Sequence, residues 1–270
     1  MKKGVSLWQA THHTDGSDIL AALDEWAKQA GRYPHFVPVW VPLPKSGVAP
    51  RGGRFPTKLL NELRTRGVEP MVYAHSVDWI GHKTPDPAFH PQTYLAGDHD
   101  AMLDAFAQAA QEYGHRLIVR LDQEPSLGWA PWSGPPKKYI AAWRYISDRL
   151  RRAPNVRMYW CAWNANMDYY PGNRWCDFVG FDVYSRGIRF RSLRSQWRKP
   201  IANIRARTDK PIIVGEFGRK RGRPLRWLWM RSLRKVRGVW ACVYFDMDMR
   251  PHENVSWLMS PWMRREFMRR

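Results

Sequence analysis

The stretch Arg116-Leu117-Ile118-Val119-Arg120-Leu121-Asp122-Gln123-Glu124-Pro125, continued by Ser126-Leu127-Gly128-Trp129-Ala130-Pro131-Trp132, decides how the chain reads. Leu117 to Leu121 is a mostly apolar run, and the pattern extends as a strand to Glu124. Pro125 ends the ladder there because it has no N–H to donate. Arg120, Asp122 and Glu124 stand at offsets of two, and side chains alternate along a strand, so all three are expected on one side. A face of charges on a strand is costly unless it lines a site or a polar network. Trp129 and Trp132 follow within eight residues of Glu124, as a sugar-binding cleft would want. A charged strand end with aromatic plates beside it predicts an active site.

The same rhythm runs through the rest of the chain. Short apolar runs at Val5–Gln9, Phe36–Val41, Glu69–His75, Leu117–Glu124, Arg157–Asn164, Phe178–Tyr184, Pro211–Phe217 and Val239–Asp246 read as strands. Amphipathic helical patterns follow them at Asp18–Gln29, Lys58–Arg66, Ala101–Tyr113, Lys138–Arg151, near Leu193–Arg207, near Pro224–Val236 and at Trp257–Met268. A long polar stretch with Pro85, Pro87 and Pro91 precedes the third of these helices, and Met167–Cys176 reads as a loop or short turn. Eight strands alternating with helices imply a parallel sheet closed into a (β/α)8 TIM barrel. The competitor is an open doubly wound sheet. It lacks its Gly-rich dinucleotide turn, and Gly52-Gly53 has no phosphate-loop pattern around it. No linker or low-complexity segment interrupts the order, so residues 1–270 are read as one catalytic domain.

The chain has 270 residues, 44% of them hydrophobic, which is enough for a sizeable core. Sixteen tryptophans exceed what packing is expected to require, so some should be exposed for stacking. A net charge of +20 implies an acidic partner or surface, or simply a solvated basic face. Cys161, Cys176 and Cys242 read as buried small hydrophobes rather than a disulfide framework. No His/Cys/Asp cluster has zinc spacing, so neither a catalytic metal nor a cofactor is expected. The N-terminus passes into a strand pattern without an apolar signal core, and no membrane-spanning run occurs. The expectation is a soluble protein, cytoplasmic or carried outside by lysis or a virus particle.

In such barrels the reactive groups gather at the carboxyl ends of the strands. There the sequence places His75, Glu124, Trp163 with Asn164, Asp182 with Tyr184, Glu216, and Tyr244 with Asp246. Glu124 and Glu216 are the predicted pair. Strands four and seven face each other across the mouth, and a separation of about 5–5.5 Å would suit retaining glycosidic cleavage. Tyr184 and Arg120 are placed to hydrogen-bond a carboxylate, the alternative being polar contacts inside the barrel. His75 reads either as a supporting residue or as a satisfied strand-end histidine, and His12-His13 is a weaker candidate still.

Asp122-Gln123-Glu124-Pro125-Ser126-Leu127-Gly128-Trp129 resembles the acid/base segment of glycoside hydrolase family 26, the β-mannanases and relatives of clan A, which usually reads His-Glu-Met-Asn-Gly-x-Trp. Arg120 matches too. Tyr159-Trp160-Cys161-Ala162-Trp163-Asn164 is similar to that family's Val-Trp-Ser-Pro-Asn strand. Tyr170-Pro171-Gly172-Asn173 and Val179-Gly180-Phe181-Asp182-Val183-Tyr184 resemble its Tyr-Pro-Gly-Asp and Val-Gly-x-Asp-x-Tyr segments, and Ile212-Ile213-Val214-Gly215-Glu216-Phe217-Gly218 its nucleophile strand. The resemblance implies Glu124 as general acid/base, Glu216 as nucleophile, Tyr184 as its hydrogen-bond partner and Trp129 as a sugar platform. It departs at Gln123, where the family usually has His, and at Pro125-Ser126-Leu127, positions that shape the cleft.

The leading expectation is therefore a retaining endo-glycosidase acting on a β-mannan-like polysaccharide. A divergent, phage-type hydrolase of bacterial cell-wall glycans is the alternative that the basic charge and the absent export signal motivate, and Asp122-x-Glu124 is also similar to barrel-type lysozymes. An inactive glycan-binding barrel is the third reading. Specific nucleic-acid binding has only charge in its favour, since no fold signature accompanies the basic residues.

Overall fold

The computed structural model describes residues 1–7, 17–43, 55–77, 86–249 and 256–269. Strands β1 (Lys2–Ser6), β2 (Phe36–Pro42), β3 (Glu69–His75), β4 (Leu117–Leu121), β5 (Val156–Trp163), β6 (Phe178–Ser185), β7 (Ile212–Arg219) and β8 (Ala241–Phe245) pair in sequence order. All pairings are parallel, and β8 closes on β1, so the sheet is a (β/α)8 barrel. Helices α1 (Ser17–Ala30), α2 (Thr57–Thr65), α3 (Pro91–Ala96), α4 (Asp100–Tyr113), α5 (Pro136–Leu150), α6 (Leu193–Arg205), α7 (Arg226–Arg231) and α8 (Pro261–Met268) lie between and after the strands. Among the described residues, no helix is long and apolar enough to cross a membrane.

Several boundaries differ from the sequence reading. The first strand begins at Lys2, where register with β8 pairs Lys2 with Ala241 and Ser6 with Phe245. Lys2 tolerates that position because its ammonium lies over the Phe36 and Trp240 rings at the barrel's base. Gln9, with which the sequence reading ended this strand, His12-His13, Gly52-Gly53 and Pro85 lie outside the described residues. The polar stretch before α4 contains a further helix, α3. Pro91 at its first turn fits there because that position needs no N–H, and the His90 ring accepts from Gln92 N. The last helix starts at Pro261 rather than Trp257, with Ser260 Oγ accepting from Met263 N.

The strands are buried on both faces. Inside the barrel, Phe36, Met71, Tyr73, Ile118, Tyr159, Cys161, Ile213 and Val243 form a packed plug. Outside it, Val72, Val119, Trp160, Phe181, Val214 and Tyr244 meet the helices. Trp26, Trp143, Trp160, Trp197 and Trp229 serve this outer layer and are fully buried, large rings filling the gaps between barrel and helices. Others are exposed, as expected: Trp129, Trp227 and Trp262. The three cysteines are buried and free.

Two interior glycines decide how closely the strands approach. A Cβ at Gly180 would lie 1.8 Å from Ile213 O and 2.5 Å from the Tyr159 hydroxyl. At Gly215 it would meet Tyr159 Oη at 2.6 Å and Asp182 Oδ1 at 2.8 Å. Gly180→Ala should therefore destabilise the fold by about 3 kcal/mol through forced backbone displacement. Gly187→Ala, where nothing lies within 4 Å, should change stability by less than about 0.5 kcal/mol. Urea unfolding midpoints of the two variants check this, and equal midpoints would contradict the close-packing argument.

Candidate functional site

The site grows from one buried guanidinium. Arg120 points into the barrel above the interior plug, fully buried, with its Cζ 4.3 Å from the centre of the Tyr73 ring. Its Nη1 donates to Glu216 Oε1 at 2.7 Å and its Nη2 to Asp182 Oδ2. One residue of β4 thus bridges β6 and β7. Tyr73 supports it from below, its hydroxyl donating to Gly215 O at 2.7 Å.

A register shift aims Glu216. Phe181 pairs with Val214, but the next residue, Asp182, pairs with Glu216, so Gly215 is the extra residue of a bulge. Ile213 faces inward and Val214 outward. Strict alternation would turn Glu216 outward, and the bulge instead returns it to the interior. Glu216 is 6% exposed, and its second oxygen accepts from the Tyr184 hydroxyl at 2.5 Å. Burial and the adjacent Glu216 charge push the Tyr184 phenol well up, so it stays protonated and donates.

Glu124 reaches the same place by a different route. β4 ends at Leu121, and Asp122 and Glu124 both have positive φ, 45° and 55°. The sequence expectation that Arg120, Asp122 and Glu124 share one side is corrected by this backbone: left-handed residues break the two-residue alternation. Asp122 is turned away from the barrel axis, where its Oδ1 accepts from Ser76 N at 2.8 Å and its carbonyl from the Tyr139 hydroxyl. Burial pushes its carboxyl up to about 7. Glu124 N instead donates to Cys161 O at 3.1 Å, which brings the side chain back over the mouth. Burial first, then the charges of Asp182 and Glu216, hold the Glu124 carboxyl well above the ordinary range. Arg120 and a hydrogen bond from Trp129 Nε1 at 3.1 Å oppose that rise.

The aromatic surroundings divide into exposed and buried rings. Trp129 is 45% exposed beside Glu124. Trp132, expected as a second plate, is 2% exposed, donates to Gln123 O and packs edge-on beneath Trp129. It is a buttress rather than a platform. Trp163 is half-buried and stacks on Tyr184 at 6.0 Å, while Asn164, with φ of 49°, lies exposed at the rim. His75 sits between Trp40 and Trp132. Its Nε2 lies 3.1 Å from the Gln123 side-chain amide, which holds the ring in place. Burial, then Arg120, lowers its pKa to about 3, and it is neutral at ordinary pH.

Tyr244 is not brought to the site. It faces the helices, among Phe217, Trp229 and Phe267, with its hydroxyl donating to Trp257 O at 2.8 Å. The inward residue is its neighbour Phe245, edge-on to Tyr184. Asp246 is also structural, accepting from Trp26 Nε1, Met259 N and Arg264 Nε. Sequence reasoning missed Trp257, whose ring lies 4.8 Å from Tyr184, and Arg226, which donates to Trp257 O and Leu258 O and fixes that segment. It also missed Cys161 as a site residue, whose thiol donates to Asp182 Oδ1 at 3.2 Å.

Comparison with solved structures finds the same barrel in several β-mannanases. It superposes on the family 26 domain of a Prevotella bryantii endo-β-mannanase/endo-β-glucanase with a TM-score of 0.70 at 14% identity, over 100% of this chain and 89% of the other. A β-mannanase from a symbiotic protist of the termite Reticulitermes speratus gives 0.71 at 16% identity, over 100% and 87%. A Podospora anserina β-(1,4)-mannanase gives 0.67 at 19% identity, over 98% of this chain and 60% of that longer one. These likenesses establish the fold. Residues 91–223, which carry β4 to β7 and both glutamates, match the model of glycosyl hydrolase family 26. Over those residues, just under half of the chain, the protein is similar to glycosyl hydrolase family 26.

Proposed function

We propose that the protein is a retaining endo-glycosidase of β-mannan-like polysaccharides. The observation that carries this reading is the asymmetry between two neighbouring glutamates. Glu216 accepts from Arg120 and Tyr184 on separate oxygens, so both lone-pair faces are engaged as a carboxylate would engage them. Glu124 is pushed toward its protonated form by burial and by the charges of Asp182 and Glu216. One carboxylate and one carboxylic acid side by side are what double displacement requires.

In the first half-reaction, Glu216 attacks the anomeric carbon while the bond to the departing sugar oxygen breaks. Glu124 gives its proton to that oxygen. In the second, water loses a proton to Glu124 and attacks the same carbon, releasing Glu216. Tyr184 and Arg120 orient the nucleophile, and Trp129 offers a platform for a sugar ring beside the cleavage point. The mannan-like backbone rests on the family match and on the enzymes with which the barrel superposes.

Reducing-end release from galactomannan and glucomannan tests the reading, with Glu124→Gln and Glu216→Gln beside the wild type. Each variant should lose at least about a hundredfold in kcat. On a dinitrophenyl glycoside, whose leaving group needs no proton, the Glu124→Gln loss in the first step should shrink and the Glu216→Gln loss should not. NMR of the first product should show the anomeric configuration of the substrate. Inverted product, or turnover surviving both substitutions, would defeat the assignment.

A pH experiment follows from the Trp129 hydrogen bond. Activity requires protonated Glu124 and falls as pH rises through its pKa. Trp129→Phe keeps a ring but removes the donor that lowers that pKa. The basic limb of the kcat profile should therefore move to higher pH. A shift to lower pH would contradict the proton assignment.

A further inference from the structure

Residues 186–192, after β6, and 219–226, from the end of β7 to the start of α7, carry eight Arg and Lys and no Asp or Glu. They belong to the same end of the barrel as Glu216. Lys220 N donates to Ser185 O at 3.0 Å, and Arg223 Nε to Arg186 O at 2.9 Å, so the loops are stitched into one rim. The rim touches the site through a short chain of rings. The Arg186 guanidinium lies 5.5 Å from the Trp257 ring, Trp257 packs on Tyr184, and Tyr184 donates to Glu216.

Several arginines of the outer layer are paired: Arg66 with Asp24 and Glu62, Arg149 with Asp100 and Asp104, Arg234 with Glu266. Arg194 and Arg198 of α6 have no carboxylate partner among the described residues, so what sets the rim apart is its place beside the site. On the rim, Arg189, Arg191 and Arg221 are exposed, and among the described residues none of them has a carboxylate partner. Beneath them Arg219 is fully buried, yet among the described residues its side chain bonds only the Ser185 hydroxyl and Pro224 O, and its Nε has no partner there. Burial and the like charges of Arg226 and Arg223 lower its pKa. A buried guanidinium without a counterion adds to the positive field of the rim instead of cancelling it. Ile188, 69% exposed, and Phe190 lie between the arginines and offer apolar surface to sugar faces.

From this juxtaposition we infer that the rim binds acidic substituents on the substrate, so that the polysaccharide is an anionic one, bearing carboxylate or phosphate groups a short distance from the sugar that is cleaved. This rests on the glycosidase reading of the same cleft. Such groups cannot sit at the cleavage point, where Glu124, Asp182 and Glu216 already concentrate negative charge. They fit the flanking rim, where guanidinium forks accept both carboxylate and phosphate.

The test uses one backbone in three forms: unmodified glucomannan, carboxymethylated glucomannan and phosphorylated glucomannan. Binding is measured with Glu216→Gln protein and turnover with the wild type. The triple variant Arg189→Gln, Arg191→Gln, Arg221→Gln is compared with an outer-face control, Arg198→Gln, Lys199→Gln, Arg207→Gln. At low salt the parent protein should bind at least one acidic form about tenfold more tightly than the neutral one, and the two acidic arms identify the preferred group. The rim variant should abolish that preference, with the change in turnover falling on KM, and the control variant should keep it. No preference in the parent protein, or equal loss in both variants, would overturn the inference, the latter assigning it to overall charge. If rim-dependent binding persists while the wild type cleaves none of the three, the rim stands and the hydrolytic reading fails. If all three are cleaved alike without preference, the reverse holds.

Discussion

Everything at the mouth of the barrel depends on where Arg120 is held. Its guanidinium ties Asp182 on β6 and Glu216 on β7 to β4, and none of the three can move without the others. A buried ion pair of this kind is weak evidence of stability, because taking the charges from water costs nearly what their attraction returns. Its use is geometric. With one cation among Asp182, Glu216 and the nearby Glu124, negative charge is in excess, and the buried carboxyl that Arg120 does not touch is the one that keeps a proton most readily. Glu124, beyond the end of its strand and bonded through its carboxyl to Trp129 Nε1, is that carboxyl. The difference between the glutamates follows from which of them Arg120 touches.

The backbone is strained where this arrangement needs it. Of the described non-glycine residues with positive φ, Asp122, Glu124, Asn164 and Ala165 all lie just beyond β4 and β5, and only Leu225 lies elsewhere. Such conformations cost of order 1–3 kcal/mol each and persist where surrounding contacts over-determine them. Here Asp122 N bonds Ala74 O, Glu124 N bonds Cys161 O and Asn164 N bonds Asp182 O. The ladder therefore continues past the regular strands in distorted form. It is this distortion that separates Asp122 from Glu124 and brings the latter over the cleft.

The sequence carried the barrel well because parallel strands buried on both faces read as apolar runs, and eight of them recur with helices between. The same double burial hides which way each residue faces. Tyr244 and Phe245 are equally plausible inward residues by composition, and only closure onto β1 and β7 decides for Phe245. Glu216 was legible as a strand-end carboxylate, but the bulge at Gly215 that turns it inward leaves no mark beyond a glycine. Asp122 and Glu124 showed a spacing whose meaning vanished when β4 stopped early. Trp257 was beyond reach, since a loop held by Arg226 delivers it to Tyr184 from far along the chain. Trp129 and Trp132 look alike in sequence, and their opposite exposures arise from the turn between them.

The cleft and its rim have opposite charge, and this imposes a division of labour. Arginines close to Glu124 would favour its ionised form and strip it of the proton that its proposed role requires. Arginines on the loops, by contrast, are exposed to solvent, where a field falls off over about 8 Å at physiological ionic strength. Among the described arginines only Arg120 lies within bonding distance of the site's carboxylates, and it is committed to Asp182 and Glu216. A substrate with acidic groups would thus meet attraction at the rim and repulsion at the floor. Binding would seat a chain whose acidic groups stand off from the cleavage point and disfavour one that carries a charge on it. Specificity in such a site comes as much from that repulsion as from the arginines.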